Sequence, residues 1–256
     1  LSCHDGCMGR LATGGGISCA VNPSACREKD FELQPASKIK NVMIIGGGVA
    51  GCEAARVCAI RGHKVSLYEK TDKLGGNIVS GGVPDFKEDD RALVKWYYNE
   101  LKENNVDINF NTKVTKDLTN KSNFDVIIVA TGSTPKILKL DGNMDKVYTA
   151  QDVLLRNRAA GNSSIIIGGG LVGCETALWL VKQGKKVTIV ETLDNILTSG
   201  PAICHANSQM LKDLLKFYKV DIKTKALVSK VTNEGAVVKQ DNKELTILGE
   251  SIILAV

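Results

Sequence analysis

Gly46, Gly48 and Gly51 stand at the GxGxxG spacing, and a carboxylate, Glu69, follows 23 residues after the first of them. Those residue types in that pattern suit a dinucleotide. The first glycine permits a tight turn, the second lets backbone approach a pyrophosphate, and the third lets the following helix pack closely on its strand. The phosphates then lie at a helix N-terminus, where free N–H groups and the dipole favour anions. A carboxylate at Glu69 can accept hydrogen bonds from an adenosine ribose. The pattern then recurs. Gly168, Gly170 and Gly173 repeat the spacing, with Leu171 and Val172 between the last two, and Glu191 again comes 23 residues after the first glycine. The match of VMIIGGGVAGCEAA to IIIGGGLVGCETA is an internal repeat. Two fingerprints imply two dinucleotides, or one dinucleotide and one ADP-like ligand. A carboxylate at Glu191 repels a 2′-phosphate and no arginine follows in Thr192-Leu193-Asp194, so the second site is expected to prefer NADH to NADPH.

The second set of chemistry-bearing residues is the cysteines. Cys3, Cys7 and Cys19 are spaced C-x3-C-x11-C, among Gly6, Gly9 and Gly14 to Gly16, with Pro23 beyond the last. Thiolates delivered from a glycine-rich loop suit an iron-sulfur cluster, which needs several sulfurs converging on a small volume. Zinc is the rival, and a surface loop with incidental cysteines is the third possibility. Four ligands require one more thiolate, either Cys26 or a cysteine upstream of Leu1. Cys52, Cys58 and Cys174 fall within expected helices and are read as small buried hydrophobes. His4, His63 and His205 are too scattered for a metal trio, and no nucleophile triad or paired-carboxylate pattern is present.

These residues need strands and helices to position them, and the periodicity supplies both. Val42 to Ile45 and Lys64 to Tyr68 read as buried parallel strands around a helix from Val49 to Ile60. Ile165 to Ile167, Leu171 to Lys182 and Lys186 to Val190 repeat that unit. Between them lie a glycine-rich loop from Thr71 to Asp90, a helix from Asp89 to Asn104 with Trp96 and Tyr97 in the core, and short strands at Val106 to Phe110 and Lys113 to Thr115. A buried strand from Phe124 runs into Ala130-Thr131-Gly132, small residues that let a cofactor touch backbone. A helix from Met210 to Tyr218 and strands at Val220 to Thr224, Ala226 to Val231, Ala236 to Gln240 and Ser251 to Val256 complete the chain.

Bulk composition bounds the rest. The 256 residues allow two domains of ordinary size, and 43% apolar with 24% charged is the balance of a globular protein. The net charge of +5 comes from scattered lysines without a basic block or interleaved aromatics, which argues against nucleic-acid or membrane-surface binding. No apolar run approaches the ~20 residues that span a bilayer and no signal-peptide pattern is present, so a cytoplasmic protein without disulfides is expected. A start at Leu1 and a stop directly after an apolar run suggest a piece of a longer chain.

The order of cysteine loop, GGGVAG with Glu69, LGGN, ATGS, and GGGLVG with Glu191 resembles the C-terminal half of the 2-enoate reductase, 2,4-dienoyl-CoA reductase and trimethylamine dehydrogenase family, most of all the clostridial-type 2-enoate reductases. The resemblance covers essentially the whole chain, and CHDGCMGRLATGG with SCAVNP is its most specific part. It implies an α/β protein of two Rossmann-like FAD/NAD(P)-binding domains of glutathione-reductase type, behind a cysteine-rich segment: residues 1–37 the iron-sulfur linker, 38–146 the FAD domain and 147–256 the NAD(H) domain. It makes Cys3, Cys7 and Cys19 three ligands of a 4Fe-4S cluster and puts the first ligand immediately before Leu1, which disfavours Cys26. Gly46, Gly48, Val49, Ala50 and Gly51 would hold the FAD pyrophosphate and Glu69, followed by Lys70, the ribose. Leu74, Gly75, Gly76 and Asn77 would run along the cofactor, Val114 backbone would lie near adenine, and Ala130, Thr131 and Gly132 would cover it. Glu175 matches a position near the nicotinamide half, or is a helix N-terminal acid favoured by the dipole.

The implied function is relay from NADH to FAD, then by way of the cluster to FMN in an N-terminal (β/α)8 barrel absent from this sequence, which reduces the carbon-carbon double bond of a 2-enoate. The full protein is expected to be a homo-oligomer. No side chain here need act as acid or base. LGGN stands where disulfide reductases carry a redox cysteine pair. The family also continues into a segment that returns to the FAD domain, so FAD is expected to be weakly held here. The other outcome is an ADP-holding scaffold without catalysis, as in the trimethylamine dehydrogenase branch.

Overall fold

A computed structural model describes every residue except Leu1, Ser2, Ser122, Pro201, Ala202 and Asn242, with Lys121 described by backbone alone. Contacts divide the described chain into two units: residues 18–133, and residues 3–17 together with 134–256. The amino-terminal segment of the second unit forms a π-helical turn, Asp5–Gly9, that runs into a single turn α1 (Arg10–Ala12).

The first unit contains β1 (Asn41–Ile45), α2 (Val49–Ile60), β2 (Lys64–Tyr68), the short α3 (Asn77–Gly81), α4 (Glu88–Glu103), β3 (Asp107–Asn109), α5 (Lys116–Lys121) and β4 (Val126–Val129). Its strands make one parallel sheet in the order β3-β2-β1-β4. Parallel neighbours need a crossover, which α2 provides between β1 and β2 and α4 between β2 and β3. Alternate residues of the strands, Val42 and Ile44 on β1 and Val65 and Leu67 on β2, pack with Ala55, Tyr97 and Leu101. The sheet is not covered evenly. On β4, Val126 and Ile128 meet this core, but Ile127 and Val129 are exposed. The continuous apolar run there therefore marks a strand buried on one face, not the fully buried one expected. Two further expectations change. Tyr97 is buried but Trp96 is 40% exposed, lying under the Arg56 guanidinium. Lys113 to Thr115 is irregular, because residues 111 and 112 are tied back to Thr71 and Glu69 through their N–H groups instead of pairing with a strand.

The second unit continues with β5 (Asp141–Gly142), β6 (Val147–Thr149), α6 (Ala150–Leu154), β7 (Ser163–Ile167), α7 (Leu171–Lys182), β8 (Lys186–Val190), α8 (His205–Phe217), β9 (Asp221–Lys223), β10 (Ala226–Val231), β11 (Gly235–Gln240), β12 (Lys243–Leu248) and β13 (Ser251–Leu254). Five strands form a parallel sheet, β6-β13-β7-β8-β9, and β10 to β12 form an antiparallel meander whose β10 also pairs with β5. Both faces of the parallel sheet are covered. Ile166, Ile189 and Ile253 point to α6, α7 and α8, while Ile165, Ile167, Ile252 and Leu254 point to the meander. A parallel strand buried on both sides has no polar alternation, which is why Ser-Ser-Ile-Ile-Ile and Ser-Ile-Ile-Leu read as unbroken apolar runs. β12 was not expected, since only Leu245 and Ile247 of its six residues turn inward. Helix α8 begins five residues before the expected Met210, because its first turns are polar and carry no apolar stripe.

Candidate functional site

The first glycine turn is built by collision avoidance. Gly46 has φ 108°, and a Cβ there would stand 2.3 Å from the Ala130 carbonyl oxygen. A Cβ on Gly51 would stand 1.9 Å from the Gly46 carbonyl oxygen. No side chain fits either place, so α2 can begin directly on the end of β1 only with glycine at both. The buried Glu69, at the end of β2, ties the turn down. Its Oε2 accepts from the Gly47 N–H at 2.8 Å, and its Oε1 accepts from the Thr71 N–H and hydroxyl, each at 2.8 Å.

Leu74, Gly75, Gly76, Ala130 and Thr131 lie against that turn. Leu74 is buried against Gly47. The Gly75 N–H donates to the Gly47 carbonyl at 2.8 Å, and Gly75 bridges Gly48 as a parallel strand residue would. The Asn77 side chain donates to the Ser133 hydroxyl at 3.2 Å, joining LGGN to ATGS. Thr131 Cα lies 3.2 Å from the Cβ place of Gly46, while Gly132 opens onto empty space. Val49 and Ala50 occupy the first turn of α2, Val114 is half-buried beside the segment held to Glu69, and Lys70 is exposed.

The second turn reproduces the first. Gly168 has φ 106° and faces the Ala255 carbonyl oxygen, 2.5 Å from its Cβ place, and a Cβ on Gly173 would stand 2.0 Å from the Gly168 carbonyl oxygen. Glu191, also buried, accepts from the Gly169 N–H at 2.6 Å and from the Leu193 N–H at 2.8 Å. Gly170 caps α7, Leu171 and Val172 are exposed in its first turn, and Glu175 is half-buried just beyond. Beside the loop that follows Glu191, Lys225, whose N–H donates to the Leu193 carbonyl at 3.0 Å, pairs with Asp194 at 3.7 Å.

Three features escaped the sequence. Ala255 holds the place in the second unit that Ala130 holds in the first: its N–H donates to Ile167 at 2.9 Å as that of Ala130 donates to Ile45 at 2.8 Å. The signal was present, since SIILAV repeats the apolar-run-then-alanine of DVIIVA. Thr71 completes the Glu69 acceptor set. The cysteine after each third glycine also has a defined role, with Cys52 Sγ donating to the Gly47 carbonyl and Cys174 Sγ to the Gly169 carbonyl, both at 3.3 Å. Burial, reinforced by Glu69 and Glu53, pushes the Cys52 thiol up to about 12; burial with Glu191 and Glu175 does the same to Cys174. Neither is a nucleophile.

The amino-terminal cysteines are placed differently. Cys3 and Cys7 belong to the second unit and Cys19 to the first. In the second unit the Asn207 side chain, in the first turn of α8, donates to the Cys3 carbonyl at 2.6 Å and meets His4 Nδ1 at 3.0 Å. All eight cysteines are free thiols. Among the described residues no three His, Cys, Asp or Glu side chains gather to hold a metal ion. No described helix is long and apolar enough to cross a membrane.

Comparison with known proteins matches residues 40–256 to the pyridine nucleotide-disulphide oxidoreductase family. The chain is 55% identical to a cinnamate reductase of Clostridium sporogenes over all of its length and 38% of that protein's. It is 34% identical to an NADH oxidase of Thermoanaerobacter brockii, covering all of this chain and 40% of the relative. Among solved structures, a 2-naphthoyl-CoA reductase complex aligns with a TM-score of 0.93 at 27% identity, covering 99% of this chain and 39% of that one. The chain thus spans about two fifths of the length of each of these relatives.

Proposed function

The chain belongs to the pyridine nucleotide-disulphide oxidoreductase family, and from that premise we propose that it is the NADH-dependent electron-input part of a larger flavoprotein reductase acting on activated carbon-carbon double bonds. The observation that carries this is the duplicated turn: two units place a glycine fingerprint, a buried glutamate and a small-residue strand end in the same arrangement. The identity to a cinnamate reductase supports the substrate class, and the NADH oxidase among the relatives supports the donor. The disulphide half of the family's description has no counterpart here, since Leu74 to Asn77 supply no cysteine pair.

The residues fit their cofactors. At Gly48 a Cβ would meet nothing nearer than Gly76 Cα at 3.9 Å, leaving the open backbone a pyrophosphate requires. FAD held by the first turn and a nicotinamide dinucleotide held by the second would supply hydride-transfer chemistry. The chain's own work is orientation and exclusion of water. The N-terminal N–H groups of α2 and α7 hold pyrophosphate, and Glu69 and Glu191 keep unused lone pairs for ribose hydroxyls. Glu191, without a free cation in the following residues, favours NADH over NADPH. No proton transfer is required, so no residue is assigned as catalytic. The iron-sulfur role of Cys3, Cys7 and Cys19 is supported by the resemblance of their segment alone, since among the described residues no such set gathers. An FMN-bearing barrel of the same polypeptide as acceptor, an oligomeric whole protein and a cytoplasmic location belong to the same proposal.

The test is anaerobic titration of the purified chain supplied with FAD. Retained flavin absorption, bleached by NADH in preference to NADPH, is expected. Folded protein that neither retains flavin nor bleaches it overturns the reading.

A further inference from the structure

The segment after Glu191 lies on the second glycine turn in the way that Leu74 to Asn77 lies on the first. Leu74 Cδ2 and Ile196 Cγ2 each come within 2.7 Å of the place a Cβ would take on Gly47 and Gly169. The Gly75 and Leu197 N–H groups each donate to the carbonyl of that same glycine at 2.8 Å. Both residues are left-handed, φ 112° at Gly75 and 60° at Leu197. For leucine that conformation is uncommon and persists only when the surroundings hold it. Here they do, because the Leu197 side chain packs against the second unit's core.

The two loops then part, since Gly76 directly follows Gly75 whereas Ser199 comes two residues after Leu197. In the first unit the chain presents bare backbone, Gly76 Cα, to the second fingerprint glycine. In the second unit it presents a hydroxyl: Ser199 Oγ lies 3.2 Å from the Cβ place of Gly170, with no other non-neighbouring atom of the described residues within 4 Å of that place. The gap left by a missing Cβ at this glycine is the one a pyrophosphate approaches. The hydroxyl of neighbouring Thr198 is turned away, donating to the Asn195 carbonyl at 2.8 Å.

We propose that residues 196–199 form a clamp on the second dinucleotide site, in which the Ser199 hydroxyl donates a hydrogen bond to a pyrophosphate oxygen of the bound nicotinamide dinucleotide. The proposal rests on the second turn being the nicotinamide dinucleotide site. It gives the two turns different chemistry at one point: the first admits its ligand against glycine, the second grips it with a hydroxyl.

The test is binding of ADP-ribose, which carries the pyrophosphate, and of adenosine, which does not, to the full chain, by calorimetry and ligand-observed NMR. Ser199→Ala is expected to weaken ADP-ribose about tenfold, the size of a hydrogen bond to a charged group, with adenosine unchanged and Ser199→Thr close to wild type. Ser199 is exposed, so the variants should fold, and a thermal melt checks it. If wild type binds ADP-ribose and Ser199→Ala binds it equally, the clamp is overturned while the site stands. Loss of both ligands in parallel also overturns it, assigning the hydroxyl only a loop-shaping role. Failure of wild type to bind ADP-ribose at all removes the site and the clamp together.

Discussion

The Glu69 carboxylate receives the Gly47 N–H at 2.8 Å, so the end of β2 is fastened to the middle of the glycine turn that follows β1. Glu191 and Gly169 repeat the contact at 2.6 Å. Each carboxylate satisfies a buried backbone donor, and in the proposed function it has a second task, accepting from a ribose hydroxyl. Removing the side chain should cost both. Glu69→Ala or Glu191→Ala is expected to lower stability by about 1–3 kcal/mol, the penalty of stranding a buried donor, read from denaturant midpoints. Glu191→Ala should also narrow the NADH to NADPH affinity ratio, as a repelling charge is lost.

Close approach, more than flexibility, explains the third glycine of each fingerprint. Gly51→Ala and Gly173→Ala put a methyl group about 2 Å from a backbone carbonyl oxygen that cannot move without pulling its helix off its strand. Each should destabilise its unit by at least the ~1–3 kcal/mol typical of overpacking and abolish nucleotide binding there. Gly81→Ala is the control. Its Cβ place is empty, it lies within α3, and its φ is not positive, so it should be neutral or stabilising by up to about 1 kcal/mol. Thermal melts of the three variants separate the cases.

Much of this was legible because the turn's requirements are local. Helices α2 and α7 begin and end where the periodicity places them, as their starts are fixed by glycines whose neighbours exclude side chains. What was not legible depends on partners far away in sequence. Nothing in FDVIIVATG says that Ile127 and Val129 have no layer over them, whereas Ile165 and Ile167 do. Ala255 was legible in principle, as SIILAV repeats DVIIVA, but it lacks the Thr-Gly that follows Ala130 and marks the first turn's strand end. Leu197 was hidden because a leucine carries no signal of positive φ. Helix α6 was also missed, although the capping box of Thr149 and Asp152 that starts it is a local pattern.

The two units have separate cores, which predicts separable damage. Leu101 of α4 and Leu215 of α8 are both fully buried, in different clusters. Leu101→Ala and Leu215→Ala should each cost about 2–5 kcal/mol, the usual range for a leucine cavity. Hydrogen exchange should show the loss of protection first in β1 and β2 for the former, and in β7 and β8 for the latter. Equal loss across both sheets in either variant would show that the units unfold as one.

The eight thiols should divide by burial. Cys52 and Cys174 are buried and donate to backbone carbonyls, so at about pH 8 they should resist alkylation in the folded protein while the exposed Cys19 and Cys26 react. Peptide mass spectrometry before and after denaturation reads the difference. Their raised pKa also sets a pH dependence. Below the ordinary thiol value of 9.0, folded and unfolded chains alike keep the protons, and their contribution to stability is fully present. Between 9.0 and about 12 the unfolded chain ionises while the folded one holds its protons, so stability is lost as pH rises through that window. Cys52→Ala and Cys174→Ala should flatten this loss. The same variants leave the Gly47 and Gly169 carbonyls with the loop N–H of Gly75 or Leu197 as partner, so nucleotide binding should weaken only slightly. Rapid native alkylation of Cys174 at the rate of Cys19 would mean that the second turn opens to solvent on its own, and that the thiol does not hold it.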